Sequence, residues 1–144
     1  MSKKPLVKSN PSFSKDPRVD QARKSYLYEN PSWQLRSLDS EGSWGWKVVS
    51  KDLVTQDIIP KLQSFESMHW NDILGRNSHE ISVDRICKEA KKRLQELKHV
   101  DIENLVSLRL TGKNRIWGIR NGSILRILWW DPDHTVYPVE LKHT

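Results

Sequence analysis

Asn121-Gly122 stands between two apolar, arginine-bearing runs, Arg115–Arg120 and Ser123–Trp130, and no other feature constrains the fold as strongly. Asn-Gly accepts the positive-φ conformations of a tight turn whose twist suits the strands on either side, so the runs are expected to pair as an antiparallel hairpin. With Asn121-Gly122 as a two-residue loop, Ile119 faces Ile124, Trp117 faces Arg126 and Arg115 faces Leu128 on one side of the sheet. Ile116, Leu125, Ile127 and Trp129 occupy the other side, which is the more apolar and is expected to be the core face. Arg115, Trp117 and Arg126 are then left together on a polar face. Val106–Leu110 reads as a preceding strand. Asp131-Pro132-Asp133-His134 supplies a turn, after which Thr135–Val139 is expected to return as an edge strand, where Pro138 is tolerated.

Upstream the apolar period lengthens from two to near 3.6. In residues 83–98, Val83, Ile86, Cys87, Ala90, Leu94 and Leu97 make one stripe, with Asp84/Lys88 and Glu89/Arg93 spaced to pair on other faces. This predicts a helix whose stripe packs on the sheet and buries Cys87. Val54, Ile58, Leu62 and Phe65 predict another helix capped by Asp52, which Pro60 must kink or split because it lacks a donor. A further helical turn runs from Ser67 through Trp70 to Gly75. Trp33–Leu38 and Trp44–Val49, joined by Asp39-Ser40-Glu41-Gly42, suggest an N-terminal strand or hairpin. The fold class is therefore α+β, with two to three helices packed on a three- to four-stranded antiparallel sheet.

Residues 1–30 are rich in Lys, Ser, Asn and Pro and poor in aliphatics, so they read as a flexible basic tail preceding one domain over 31–144. The net charge of +6 is uneven: residues 1–32 hold seven Lys/Arg against three Asp/Glu, 33–104 eleven against twelve, and 105–144 six against three. Basic ends around a neutral middle favour an anionic partner, although a solvated tail alone accounts for part of the excess. The chain has no apolar run near the roughly 18 residues of a membrane span, and its first residues lack the apolar core of a signal peptide. One cysteine, Cys87, excludes an internal disulfide. A cytoplasmic protein with no membrane association is expected.

No phosphate-cradling glycine loop, nucleophile elbow, HExxH or paired CxxC motif occurs, so no metal and no cofactor is expected. The five histidines are dispersed, and His134 alone, in the turn beyond the basic strands, stands out as an acid or base. The informative set is Arg109, Arg115, Trp117, Arg120, Arg126 and Trp130, with Lys113 in the connecting loop. Guanidinium groups hold phosphates bidentately and indoles stack bases, which points to RNA or another nucleic acid. Equally, Trp117 and Arg126 can form a plain cation-π pair on a half-buried sheet.

Ser107-Leu-Arg-Leu-Thr-Gly-Lys-Asn-Arg-Ile-Trp-Gly-Ile-Arg120, Leu128-Trp-Trp-Asp-Pro-Asp-His-Thr-Val-Tyr-Pro138 and Phe65-Glu-Ser-Met-His-Trp-Asn-Asp-Ile-Leu74 resemble the ParE-like branch of the RelE/ParE superfamily of bacterial toxins. The resemblance spans about residues 33–142. It implies a toxin–antitoxin system in which a cognate antitoxin covers the basic face, and growth inhibition either by ribosome-associated messenger-RNA cleavage or by inhibition of DNA gyrase. For a metal-independent endoribonuclease it implies catalytic roles for Arg115 and Arg126 as cations and for His134 and Tyr137 as acid/base groups, with Arg109, Lys113, Trp117, Arg120 and Trp130 binding substrate. Three classes stay open: an RNA-directed toxin, a toxin that binds a protein such as gyrase, and a non-catalytic binding module.

Overall fold

In the computed structural model, which describes residues 25–75 and 77–138, the period-two segments become strands of one sheet. β1 (Ser32–Gln34), β2 (His79–Ser82), β3 (Asn104–Arg109), β4 (Arg115–Asn121) and β5 (Ile124–Asp131) lie in the order β1-β5-β4-β3-β2. The β2–β3, β3–β4 and β4–β5 pairs are antiparallel, whereas β1 runs parallel to β5. The sheet is thus five-stranded and mixed, where three or four antiparallel strands were expected. β2 escapes a pattern reading because Ile81 is its single buried residue, which leaves no alternation to detect. Thr135–Val139 forms no strand over its described residues, 135–138, and Val136 is instead buried against the sheet.

Ser50 caps the first helical segment, its hydroxyl accepting the Leu53 N–H at 3.1 Å. The segment runs through α1 (Lys51–Leu53), a π-helical turn (Val54–Ile58) and α2 (Ile59–Glu66). Pro60 neither ends nor splits it, because the wider turn just before the proline absorbs its missing donor and ring. α3 (Trp70–Ile73) follows. α4 is shorter than expected, Lys88–Glu96, since Cys87 is extended and its N–H donates to the Val136 carbonyl at 2.8 Å. Its predicted stripe still faces the sheet, with Ile86, Ala90 and Leu94 buried and Val83, Cys87 and Leu97 packed beside them. Of the expected pairs, Arg93 binds Asp39 and Glu96, while Glu89 accepts from the Ser43 hydroxyl. Lys98 ends the helix at φ 65°, so that its N–H reaches Gln95 O and the His99 N–H reaches Leu94 O.

The hairpin register differs from the expected one. Asn121 pairs with Ile124, so the loop is Gly122-Ser123, and between Trp117 and Gly118 the ladder slips by one. Gly118 faces Ile127 and Trp117 faces Trp129, leaving Leu128 as the extra residue of a bulge. Gly118 is needed there: a Cβ would meet the Arg126 carbonyl oxygen at 2.6 Å. The slip brings Trp129 to the face that carries Trp117, and both faces are packed. Ile116, Leu125, Ile127 and Trp130 meet Ile58, Phe65, Trp70 and Ile73, while Trp117, Ile119, Leu128 and Trp129 meet Ile86, Ala90 and Leu94. The expected packing of Ile116, Leu125 and Ile127 on the α4 stripe is therefore corrected, and no open polar face remains for Trp117.

Two buried carboxylates knit the α4 side together. Asp39 accepts from Arg93 Nε at 2.8 Å and Nη2 at 2.7 Å, and from the Trp129 indole at 2.9 Å. Asp131 accepts from the Trp117 indole at 3.0 Å, from the Thr135 N–H at 2.9 Å and from the Val136 N–H at 3.1 Å. Trp44 closes the group, its ring 5.1 Å from that of Trp129 and its N–H on the Thr135 hydroxyl at 2.9 Å. Toward residue 30, Tyr26 of the 3-10 turn Tyr26–Tyr28 packs on the opposite cluster, with the Arg120 guanidinium 3.5 Å above its ring. The expected tail boundary thus meets ordered packing, and residues 1–24 lie outside the described residues.

Asp39→Asn keeps the shape but removes the charge shared by Arg93 and the Trp129 indole, leaving Arg93 its bond to Glu96, and should cost about 1.5 to 3 kcal/mol in chemical denaturation. Burial raises the Asp39 pKa, but the Arg93 and Trp129 hydrogen bonds, the Arg93 charge and the Glu41 N–H together hold it below its ordinary value. His99 is likewise lowered, first by burial and then by the Arg126 charge, against an opposing pull from Asp39. Both folded values lie below the unfolded ones, so the stability each contributes is complete above its unfolded pKa and lost as pH falls through the folded one. Melting temperature should therefore decline on acidification below about pH 6.5, and again below about pH 4. His99→Gln should remove the first decline and leave the second; persistence of both would exclude His99 as the cause.

Candidate functional site

Both faces of the sheet are covered, and concave surface occurs between the 42–44 loop and α4 and, in three adjoining hollows, toward the end where β3 turns into β4. There the β3–β4 loop, Asn77-Ser78 and the 131–138 turn approach one another. A concavity of about 150 Å³ is lined by Asn77, His79, Ile81, Ser107, Arg115, His134 and Tyr137. Each polar member has a local reason for its place. Ser107 and Arg115 project from the face they share with Trp117, and β2 brings His79 directly opposite Ser107. His134 is delivered by the Asp131 turn and has φ 58°, a left-handed backbone that histidine adopts more readily than most residues. Asp131 fixes that turn, because its carboxylate occupies the Thr135 and Val136 donors. Arg85 stands over the Tyr137 ring at 5.2 Å and adds a second cation beside the concavity.

Of the residues expected to be catalytic, Arg115, His134 and Tyr137 therefore share one site, and Arg126 does not join them. Arg126 is half-buried opposite Ile119, four residues along β4 from Arg115 and so roughly 14 Å away, beside His99. Among the expected substrate-binding residues, Trp117 is fully buried with its indole bound to Asp131, and Trp130 is buried against Trp46, so neither face is open to a base. The bulge at Leu128 and the second helical layer are the physical reasons. Arg120 is enclosed by Tyr26, Glu80 (3.3 Å) and the Gly122 carbonyl (2.8 Å), with its Nε buried and without a hydrogen-bond partner. It ties the 3-10 turn to the sheet. Arg109 remains at the site end: its Nε and Arg115 Nη1 both donate to the Gly112 carbonyl at 3.0 Å, and Lys113 is exposed in the same turn.

His79 was missed by sequence reasoning, since its strand carried no periodic signal. Its place in a four-residue segment just after a turn was the available hint. The site is rich in donors and proton carriers: two imidazoles, a guanidinium, a phenol and a hydroxyl around a space the size of a few atoms. Such a set can orient a phosphodiester, move a proton and neutralise a developing negative charge. Among the described residues, no group of three or more His, Cys, Asp or Glu is placed to hold a metal ion. No helix among them is long and apolar enough to cross a membrane. Comparison with protein-family models, curated proteins and solved structures finds no match to this chain.

His134→Gly tests whether the left-handed backbone is held for the side chain's sake. Glycine adopts φ 58° without a Cβ clash. The variant should be neutral or more stable by up to about 1 kcal/mol in thermal melts, while losing whatever activity the site has. A clear loss of stability would mean that the imidazole is a packing element.

Proposed function

We propose that this chain is a RelE/ParE-like toxin that inhibits growth by cleaving messenger RNA at the ribosome without a metal, held in check in the cytoplasm by a cognate antitoxin. The observation that carries the reading is the convergence of Arg115, His134 and Tyr137 with His79 in one small concavity at the end of the sheet. The resemblance of the 107–120 and 128–138 segments to that superfamily names a biological setting for such a group. In the proposed reaction one imidazole accepts the 2′-hydroxyl proton as that oxygen attacks the neighbouring phosphorus. The other imidazole donates a proton to the departing 5′-oxygen, leaving a cyclic phosphate and a free 5′-hydroxyl. Arg115 stabilises the charge that builds on the non-bridging oxygens, with Arg85 nearby. Tyr137 orients the phosphate. Trp117, Trp130, Arg120 and Arg126 have no part in this scheme.

In a purified translation system, wild-type protein should cut messenger RNA on programmed ribosomes, and His134→Ala should reduce the rate roughly 100-fold or more at unchanged melting temperature. Arg115→Ala should be similarly impaired. Arg126→Ala should cut at the wild-type rate, because it lies outside the site. Loss of DNA supercoiling with intact messenger RNA would instead assign a gyrase-directed toxin, and normal growth on expression would overturn the toxin reading altogether.

A further inference from the structure

Three concavities adjoin one another around the β3–β4 turn, and each shares lining residues with the next. The 150 Å³ site contains Asn77; so does a larger hollow of about 510 Å³, which lies between α2, α3 and the β3–β4 turn and includes Phe65, Met68, Arg109 and Gly112. That hollow in turn shares Lys61, Leu110 and Thr111 with a third, of about 240 Å³, reaching Gln56 and Asn114. The path bends around the end of the sheet from the α4 side to the α2 side. Lys61, Arg109 and Arg115 line it, against Asp57 and Asp72, and Lys113 is exposed in the β3–β4 turn.

We infer that this path is a track for single-stranded RNA, with the 510 Å³ hollow receiving the base of a nucleotide next to the scissile phosphate and Lys61 holding a phosphate beyond it. The inference rests on the endoribonuclease reading and extends it to a substrate length and polarity-independent backbone contact. The hollow lies within the roughly 300 to 1,000 Å³ of small-molecule sites, and its walls set the half-buried Met68 thioether and the stem of Lys61 beside Arg109, an apolar wall next to cations that suits a base beside an anionic backbone. Arg109 and Arg115 are directly opposed across β3 and β4 and converge on the Gly112 carbonyl, an arrangement of like charges that a bridging phosphate suits. Lys61 borders both outer hollows and extends over the Phe65 ring at 5.4 Å, so one cation serves the step between them.

The full chain is titrated with a labelled six-nucleotide and a three-nucleotide RNA, both 2′-O-methylated so that neither is cut, over a range of salt. Lys61→Glu should weaken the six-nucleotide probe about tenfold or more and reduce its logarithmic salt slope by about 0.7, one phosphate's share on a single strand. The three-nucleotide probe should be affected far less, and Lys61→Arg should restore the longer one. Equal binding of the six-nucleotide probe by wild type and Lys61→Glu, with melting temperatures matched, overturns the track. The cleavage assay on His134→Ala separates the two readings. No cutting by wild-type protein with binding weakened by Lys61→Glu removes the endoribonuclease assignment and keeps the track; cutting by wild type that is lost in His134→Ala, with binding unaffected by Lys61→Glu, does the reverse. A wild-type protein that binds neither probe and cuts nothing refutes both.

Discussion

The bidentate contact between Asp39 and Arg93 joins three parts of the chain that lie far apart in sequence. Asp39 belongs to an irregular loop after β1, Arg93 to α4, and the third partner, Trp129, to the inner strand β5. A carboxylate that is 3 % exposed is costly to bury unless its lone pairs are filled, and here two guanidinium donors and an indole fill them. The same loop is pinned through its backbone, Asp39 N–H to Leu128 O and Trp46 N–H to Asp39 O, each at 2.9 Å. The position of Leu128 in turn depends on the bulge. The charge pair thus ties to α4 a loop that backbone bonds already hold on the sheet.

Asp131 repeats the device one strand pair away and connects it to the site. Trp117 and Trp129 are cross-strand neighbours, and each gives its indole N–H to a different buried carboxylate. The tryptophans thus work as polar struts as well as apolar filling. Through Asp131 the network reaches Thr135 and Val136, and so sets the backbone on which His134 stands. Core and site are mechanically continuous there.

The parts of this fold legible in the sequence were those governed by local periodicity. The α4 stripe was visible because the 3.6 period marks one buried side, and β3 to β5 because they are short apolar runs bounded by turn residues, although both their sides are buried. What the pattern concealed came from single residues acting at long range. The bulge beside Gly118 is one inserted position, yet it reverses the side on which Trp129 lies, and so the assignment of both faces. β1 and β2 are too short to alternate. The site was half legible: Arg115 and His134 stand out by their chemistry and Tyr137 by the family resemblance, and the three are neighbours. Trp117, Trp130, Arg120 and Arg126 were chosen because they interleave along the strands, which carries no information about the second layer of helices that covers them.

The last strand of the sequence is not an edge of the sheet but its second position, lying between β1 and β4. A chain emerging from the ribosome presents β1 long before its partner exists, and closing that pair spans the loop from Gln34 to Ile124. The Asp39 loop must wait as well, since Trp129 arrives at the same late moment. Both core clusters contain β5 side chains, so neither can be completed during synthesis before β5 is available. The His134 turn follows β5 by only a few residues, so the site comes into being last, and a nascent or truncated chain lacks it altogether.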